Sequence, residues 1–217
     1  MVHKTKHTNE KYFGIVSMVT DRLDMRKALN ETAFRQAGYF TAAQARAAGY
    51  SAQSQKYHTD RGSWTRIERG MYRLAEWPSN DFDSYTRWFV WSEGAGVISH
   101  DSAAEVYSIG DLNPRQVHLT LPVVRRTRFT GVTLHHTALP ALDVTVHGAV
   151  RVTTPERTIL DLADSPITQE QFTELVEDSL ADGLASPARL AARSDDFGHR
   201  AALRIERALQ SARSKQA

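Results

Sequence analysis

The chain has 217 residues, of which 41% are apolar, 24% are charged and none is cysteine. This length suffices for one large globular domain or two small ones, and the missing cysteines exclude disulfides, thiol catalysis and cysteine-bound zinc. No run approaches the roughly 20 apolar residues of a membrane helix, and the patch at 12–19 is too short and polar for a secretory leader, so we expect a cytoplasmic protein without membrane contact. The net charge of +2 is uneven, because residues 1–80 carry 13 Lys and Arg against 7 Asp and Glu.

The N-terminal segment is expected to be a polar arm over residues 1–20, followed by a domain over 21–78. Apolar residues recur at roughly helical spacing within 12–37, and Gly38 is expected to end that helix. The face predicted to be buried consists of Val19, Leu23, Leu29, Ala33 and Phe34.

Two short helices joined by a glycine turn are predicted next. Thr41 and Gln44 have the spacing of a capping box at the start of a helix over 42–48. Ser51 is placed to cap a second helix over 52–61. These lengths and the glycine between the helices are typical of a helix-turn-helix. The second helix is so polar that its docking face is expected to consist of Tyr50, Ala52 and Tyr57.

A β-hairpin is predicted over residues 64–74. Two runs rich in Trp, Ile, Tyr and Leu flank Arg69-Gly70, where glycine accepts a positive φ. The run at 77–80 indicates a domain boundary. Residues 21–78 are therefore predicted to form a winged helix-turn-helix.

The basic charge of this domain and its predicted shape favour DNA as the partner. A winged helix-turn-helix lays its second helix in the major groove, where Gln pairs with adenine and Lys reaches guanine, while arginines contact phosphates. The predicted DNA-contact residues are Arg46, Gln53, Ser54, Gln55, Lys56, Arg61, Arg66, Arg69 and Arg73. The alternative is a protein-binding module of the same outline, with the charge difference due to chance.

The rest of the chain, over 79–217, predicts a mixed α/β domain. Helices are predicted at 83–91 and 101–106, strands at 116–122 and 132–137, and a hairpin over 143–152. Thr154 caps a helix that Pro155 begins, in which Arg157 and Asp161 can pair. Further helices close the chain, one of them with the apolar stripe Phe172, Leu175, Val176 and Leu180. The predicted fold class is α+β, with an N-terminal winged helix-turn-helix followed by a mixed α/β C-terminal domain that ends in a helical segment.

Several runs resemble the AbiEi-type antitoxins of AbiE (abortive infection) toxin–antitoxin systems. In the N-terminal domain these are GYFTAAQA at 38–45, Gly49, Ser51, Gly62, Trp64 and RGMY at 69–72. In the C-terminal domain they are ISHDSAA at 98–104, VHLTLP at 117–122 and VTTPERTILDL at 152–162, the last being the most specific. The resemblance covers roughly residues 35 to 180. The chain departs from the family's usual basic or apolar residues at Gln55 and Thr59.

The resemblance implies a two-gene operon whose antitoxin binds repeats in its own promoter and represses transcription. It also implies that the antitoxin counters a toxin resembling a nucleotidyltransferase, with the C-terminal domain linked to that action. The implied partners are double-stranded operator DNA and the cognate toxin. Antagonism without a stable complex and direct contact both remain open.

An acidic helix is the candidate for direct contact with the toxin. Residues 156–196 carry 10 acidic and 3 basic side chains, and a toxin that modifies RNA would need a basic groove. The residues singled out are Glu170, Glu174, Glu177 and Asp178. The alternative is a solvated helix face.

Catalysis is the rival prediction, because winged helices are sometimes fused to small nuclease domains. Common nucleases use a catalytic lysine, and no lysine lies between Lys56 and Lys215. Ser99, His100 and Asp101 have the residue types of a catalytic triad, but adjacent residues point in different directions, so Ser99 or Asp101 is interpreted as a helix cap. We expect no catalytic residue. The alternatives to an antitoxin are a winged-helix regulator without a toxin partner and a DNA-processing enzyme.

Several histidines lie in predicted strands, and two or three of them can converge. These are His118, His135, His136 and His147. Metal sites usually add a carboxylate or thiolate at a recognisable spacing, and none is visible. No metal and no cofactor are therefore predicted.

Overall fold

The structure is a computed structural model that describes residues 6–124 and 130–216, with side chains described from residue 21 to residue 215 outside that gap. The chain divides into two compact units, residues 1–86 and 87–217. The division falls within a helix, Asp83–Trp91, beyond the boundary predicted after residue 78. In the described part of the chain, no helix is both long and apolar enough to cross a bilayer.

Up to residue 82, the described residues of the N-terminal unit form three helices and a small antiparallel sheet. In chain order its elements are α1 (Lys6–Arg35), β1 (Tyr39–Thr41), α2 (Ala42–Ala47), α3 (Ala52–Asp60), β2 (Trp64–Glu68) and β3 (Met71–Leu74). The strand order is β1-β3-β2, so the short β1 adds a third strand to the predicted hairpin. Because α1 begins at Lys6, most of the segment predicted to be a polar arm is helical here.

The local signals around α2 and α3 act as predicted. The Thr41 hydroxyl accepts the N–H of Gln44, whose side chain accepts the N–H of Thr41, which completes the capping box. The Ser51 hydroxyl accepts the N–H of Ser54 at the start of α3. Gly70 has φ +79° in the hairpin turn, a conformation that favours glycine.

The core of this unit takes in fewer side chains of α1 than the sequence predicts. It consists of Leu29, Ala33, Phe40, Ala45, Tyr50 and Trp64. The prediction for Leu23 and Phe34 is wrong, because their side chains are 59% and 66% exposed. Phe34 instead contacts the edge of Trp77, with ring centroids 4.8 Å apart. The side chain of Val19 lies outside the described residues.

The C-terminal unit places a five-stranded mixed sheet beside a group of helices. After α4 (Asp83–Trp91) its elements are β4 (Val97–Ile98), α5 (His100–Tyr107), β5 (Val117–Leu121), β6 (Val132–His136), a 3₁₀ turn (Ala141–Asp143), β7 (Val144–His147), β8 (Val150–Thr153), α6 (Pro155–Leu162), α7 (Gln169–Ala181), α8 (Pro187–Arg193), a second 3₁₀ turn (Ser194–Phe197) and α9 (His199–Gln216). The strand order is β6-β5-β4-β8-β7. The sequence misses only the two-residue β4 among these described strands.

Apolar faces of α6, α7 and α9 meet in the main core of this unit. The stripe predicted on α7 is confirmed, since Phe172, Leu175 and Val176 are fully buried. They pack with Ile159 and Ile205. Arg204 of the basic C-terminal segment is also buried, because its guanidinium donates to backbone carbonyls of the α6–α7 loop.

A buried ion-pair network ties α6 to the 3₁₀ turn before β7 and to α8. The Arg157 Nε donates to Asp161 at 2.8 Å, as predicted, and its Nη1 donates to Asp143 at 3.0 Å. Arg193 also donates to Asp143. Burial by itself raises the pKa of Asp143, but the bonds and charges of Arg193 and Arg157 outweigh it and hold the pKa below its ordinary value. The motif around Arg157 therefore has a structural role.

Candidate nucleic-acid interface and other candidate sites

The exposed face of α3 presents polar side chains at helical spacing. Gln53, Lys56 and Tyr57, at positions i, i+3 and i+4, are all exposed. Lys56 Nζ lies 2.6 Å from Asp60, and both side chains are mostly exposed. An exposed pair of this kind contributes little to stability, so Lys56 can exchange Asp60 for a phosphate at small cost.

Gln55 faces the opposite way, and the prediction that it contacts DNA is wrong. Its side chain is 4% exposed. The amide nitrogen donates to the carbonyl of Tyr50 at 3.1 Å and to that of Ala42 at 3.3 Å. Gln55 therefore joins α3 to the start of α2 and to the turn between them.

The predicted docking face of α3 is also wrong in two of its three residues. Tyr57 is 51% exposed and Ala52 is exposed, whereas Tyr50 is buried. The ring of His58 stacks on Trp64 with centroids 4.8 Å apart. Burial lowers the pKa of His58, which favours the neutral ring in this contact.

Exposed arginines lie on α2, directly after α3 and on the hairpin. Arg66 and Arg69 are exposed, and the hairpin turn places Arg69 at its tip beside Gly70. Arg46 on α2 and Arg61 after α3 are exposed as well. These cations lie where a winged helix-turn-helix meets phosphates.

Arg73 differs from this set, because its guanidinium is engaged within its own unit, and this does not favour the predicted DNA contact. The guanidinium lies 2.8 Å from the Asp83 carboxylate and donates to the carbonyl of Pro78 at 3.0 Å. It also lies over the ring of Tyr39, 4.9 Å from the centroid. Its side chain is only 13% exposed. Arg73 therefore fixes the segment that follows the hairpin.

Tyr57 is a candidate contact residue that the sequence analysis assigned to the core. The side chain of Arg61 donates to its hydroxyl and lies over its ring. The spacing of Gln53 and Tyr57, one helical turn apart, was the signal that could have identified them as one exposed face.

The acidic residues of helix α7 fall into two groups: two of them bond to other parts of the C-terminal unit, and two are exposed. Glu177 accepts bonds from Lys215 at 2.6 Å and from Ser211 at 3.0 Å. The bond from Lys215 is the main reason that the pKa of Glu177 is lowered. Asp178 accepts the backbone N–H of Gly110 at 2.9 Å. Glu170 and Glu174 are exposed on the same helix.

Ser99, His100 and Asp101 do not form a catalytic triad. Ser99 is fully buried, and its hydroxyl accepts from Thr120 at 2.7 Å. Asp101 pairs with His118 Nδ1 at 3.3 Å. Ser99 occupies the N-cap position of α5 but makes no side-chain capping bond there. A buried hydroxyl is inaccessible to a substrate, so this arrangement does not support acyl transfer.

Three histidines converge beside this segment. His100 and His135 stack with ring centroids 3.5 Å apart, and His135 Nε2 lies 3.3 Å from His118 Nδ1. Burial is the largest cause that lowers the pKa of His100 to about 3 and that of His135 to about 4. The sequence suggested that two or three of the strand histidines converge, and His118 and His135 do so. His100 joins them, whereas His136 and His147 are not members of this cluster.

Comparisons with known proteins match both units of the chain. A family model described as "Transcriptional regulator, AbiEi antitoxin" matches residues 27–75, and one described as "AbiEi antitoxin C-terminal domain" matches residues 94–211. No significant match was found among curated proteins. The crystal structure of the RV2827C protein from Mycobacterium tuberculosis is similar over 80% of this chain and 72% of that chain, with a TM-score of 0.58 and 17% identity. At this identity the likeness concerns the fold alone.

Proposed function

The chain belongs to the AbiEi antitoxin family, and on this premise we propose that it is an antitoxin that binds its own promoter DNA as an autorepressor and counteracts a nucleotidyltransferase-like toxin. The DNA-binding part rests on one observation above all. The exposed face of α3 and the exposed arginines of the hairpin leave polar and cationic groups free of core contacts.

Two kinds of DNA contact follow from this arrangement. Gln53 and Lys56 lie in the first turns of α3, where a recognition helix meets base edges. Arg66 and Arg69 extend from the hairpin, where a wing meets phosphates. The proposed contact set is Arg46, Gln53, Ser54, Lys56, Tyr57, Arg61, Arg66 and Arg69.

The wing is tested by changing its arginines to alanine. Arg66→Ala and Arg69→Ala are each expected to weaken binding to all sequences and to lower the salt-dependence slope by about 1 per lost phosphate contact. The measurement is a mobility-shift titration on the upstream promoter fragment at several salt concentrations. Arg115→Ala, which removes an exposed arginine of the C-terminal unit, is the matched control. Binding and salt slope equal to those of the wild type would contradict the assignment of the wing.

The antitoxin part rests on the family and on the charge of α7. Glu170 and Glu174 keep exposed carboxylates, while Glu177 and Asp178 are engaged inside the unit. We therefore narrow the proposed toxin-facing residues to Glu170 and Glu174. The positively charged groove that an RNA-modifying toxin needs is the complementary partner surface.

We also propose that the chain acts as a regulator and catalyses no reaction. The family is described by transcriptional regulation and antitoxin action, and burial of the Ser99 hydroxyl argues against Ser99 as a nucleophile. Metal-dependent cleavage of DNA or RNA by the purified chain would overturn this part. A nucleotidyltransferase-like reading frame beside the gene distinguishes an antitoxin from a regulator without a toxin.

A further inference from the structure

We propose that His100, His118 and His135 bind a transition-metal ion of the Zn²⁺ class, independently of DNA binding and of toxin antagonism. The three histidines come from three elements, the start of α5, β5 and β6. One potential ligand atom from each of them lies within 4.8 Å of the other two. We name this cluster the histidine site.

The sheet register explains why two of the rings meet. Strands β5 and β6 are parallel, with Thr120 opposite His135 and His118 opposite Thr133. Because side chains alternate along a strand, His118, Thr120, Thr133 and His135 lie on one face of the sheet. Ser99, which precedes α5, bonds to Thr120 and so brings His100 over the same face.

The distance between two of the histidine nitrogens is already close to the distance between two nitrogen ligands of zinc. Zinc binds histidine nitrogen at about 2.0–2.1 Å, so two nitrogens of a tetrahedral site lie about 3.4 Å apart. His135 Nε2 and His118 Nδ1 are 3.3 Å apart. The Asp101 carboxylate oxygen, 3.3 Å from His118 Nδ1, supplies negative charge beside the ion.

The surroundings of His100 orient it as a ligand. Its Nδ1 lies 3.0 Å from the Ser99 hydroxyl, so an Nδ1–H donated there leaves the Nε2 lone pair for the metal. Its φ of +52° is rare for a residue with a side chain and is held by the surrounding structure. Because the rings of His100 and His135 are stacked at 10°, binding one ion requires the His135 ring to turn about χ2, a broad torsion in histidine, while His100 keeps its contact with Ser99.

The chemistry of the donor set selects the ion. Imidazole suits zinc, copper, iron and nickel, whereas calcium and magnesium prefer oxygen ligands. The positive charge of Arg157 near this site is offset by its bonds to Asp143 and Asp161. Each of the three histidines keeps part of its surface exposed to solvent, which an ion needs in order to enter the site.

The test is a titration of the full chain, without any affinity tag, with Zn²⁺ by calorimetry and with Co²⁺ by visible absorption. The wild type is expected to bind one equivalent and to show the intense spectrum of tetrahedral Co²⁺. His118→Asn and His135→Asn are each expected to weaken binding more than about 100-fold, since losing even an outer hydrogen bond of a metal ligand costs 10–100-fold.

The matched control is His136→Gln, which changes an exposed histidine next to His135 on the other face of β6. It is expected to bind like the wild type. A wild type that binds no equivalent overturns the proposal, whatever the variants do. Binding that survives in both Asn variants, or that His136→Gln also abolishes, overturns it as well. Circular dichroism of each metal-free variant separates loss of the site from loss of the fold.

Discussion

In the N-terminal unit, residues of the same type that lie close together in the sequence differ in their surroundings: one is exposed and the other is bonded within the unit. Gln53 is exposed whereas Gln55 bonds to two backbone carbonyls. Arg69 is exposed at the hairpin tip whereas Arg73 is paired with Asp83. What distinguishes them is whether the rest of the unit covers the side chain. We therefore expect a change at the covered residue of each pair to alter stability, and a change at the exposed residue to alter DNA binding.

Replacing the two glutamines makes this separation measurable. Gln55→Ala leaves two carbonyls without this donor and is expected to lower the free energy of unfolding by about 1–3 kcal/mol. Gln53→Ala is expected to leave stability nearly unchanged and to alter sequence preference by about 1–3 kcal/mol if it reads a base. Urea denaturation and competition mobility shifts measure the two effects. Equal losses by Gln53→Ala on specific and random DNA would show that Gln53 contacts only the backbone.

Asp143 gives a prediction about pH. Its pKa is lowered in the folded state, so its contribution is present above the unfolded pKa of about 4 and is lost as pH falls through the folded pKa. Asp143→Asn is therefore expected to cost about 3 kcal/mol at pH 7, because it removes one of the two carboxylates bonded to the buried Arg157 and the carboxylate bonded to Arg193. The cost should shrink toward zero below pH 4.

Urea denaturation of both proteins at neutral and acid pH checks this prediction. Burial is the main cause that raises the pKa of Asp161 to about 6, and the charge of Asp143 raises it further, so in the variant Asp161 ionises more readily and its titration also enters the difference. A cost that is independent of pH would show that Asp143 acts through its shape and not through its charge.

At the scale of elements, the position of helix α3, the proposed recognition helix, depends on the turn before it. The helix is short and buries few apolar side chains, so its position comes from Gln55, from the His58–Trp64 stack and from the turn. Gly49 in that turn has φ +101°, and a Cβ there would lie 2.9 Å from Met25 Cγ of α1. Gly62, after the helix, has φ +73° with open space around it.

Replacing each of these two glycines with alanine compares the cost of a positive φ alone with the cost of a positive φ together with a steric clash. Gly62→Ala is expected to cost about 1 kcal/mol from its positive φ alone. Gly49→Ala is expected to cost more and also to weaken promoter binding, because α3 must shift relative to α1. Thermal unfolding and mobility shifts measure both variants. Equal costs would show that Met25 adapts freely and that the contact does not position the helix.

At the scale of the whole molecule, the two units differ in the sign of their charge-rich segments. Residues 1–80 hold 13 basic against 7 acidic side chains, whereas residues 156–196 hold 3 against 10. The basic part belongs to the unit that carries the proposed DNA contacts, and the acidic part belongs to the unit matched by the antitoxin C-terminal domain. Reversing charge in one unit should leave the activity of the other unchanged.

The double variant Glu170→Lys and Glu174→Lys tests this division. It is expected to reduce protection against the co-expressed toxin while promoter binding stays within twofold of the wild type, because opposite charge repels a basic groove. Growth after toxin induction and mobility shifts are the two measurements. Asp195→Lys with Asp196→Lys makes the same change in charge on exposed residues elsewhere. Full protection by the Glu170/Glu174 variant would contradict direct contact through α7.

The local features could be predicted from the sequence, because they depend on residues a few positions apart. The capping box of Thr41 and Gln44, the hairpin turn at Gly70 and the Arg157–Asp161 pair are all visible in the sequence and present in the structure. The runs that resemble AbiEi antitoxins are local in the same sense, and the family matches confirm that resemblance.

Which side chains face inward and which distant residues meet became clear only from the fold. Gln55 and Arg73 were predicted to contact DNA, but burial and ion pairing engage them within their own unit. His100, His118 and His135 come together because the register of two parallel strands and the bond between Ser99 and Thr120 place them on one face. Burial and strand register depend on residues far apart in the chain, so the spacing of residues along the sequence does not reveal them.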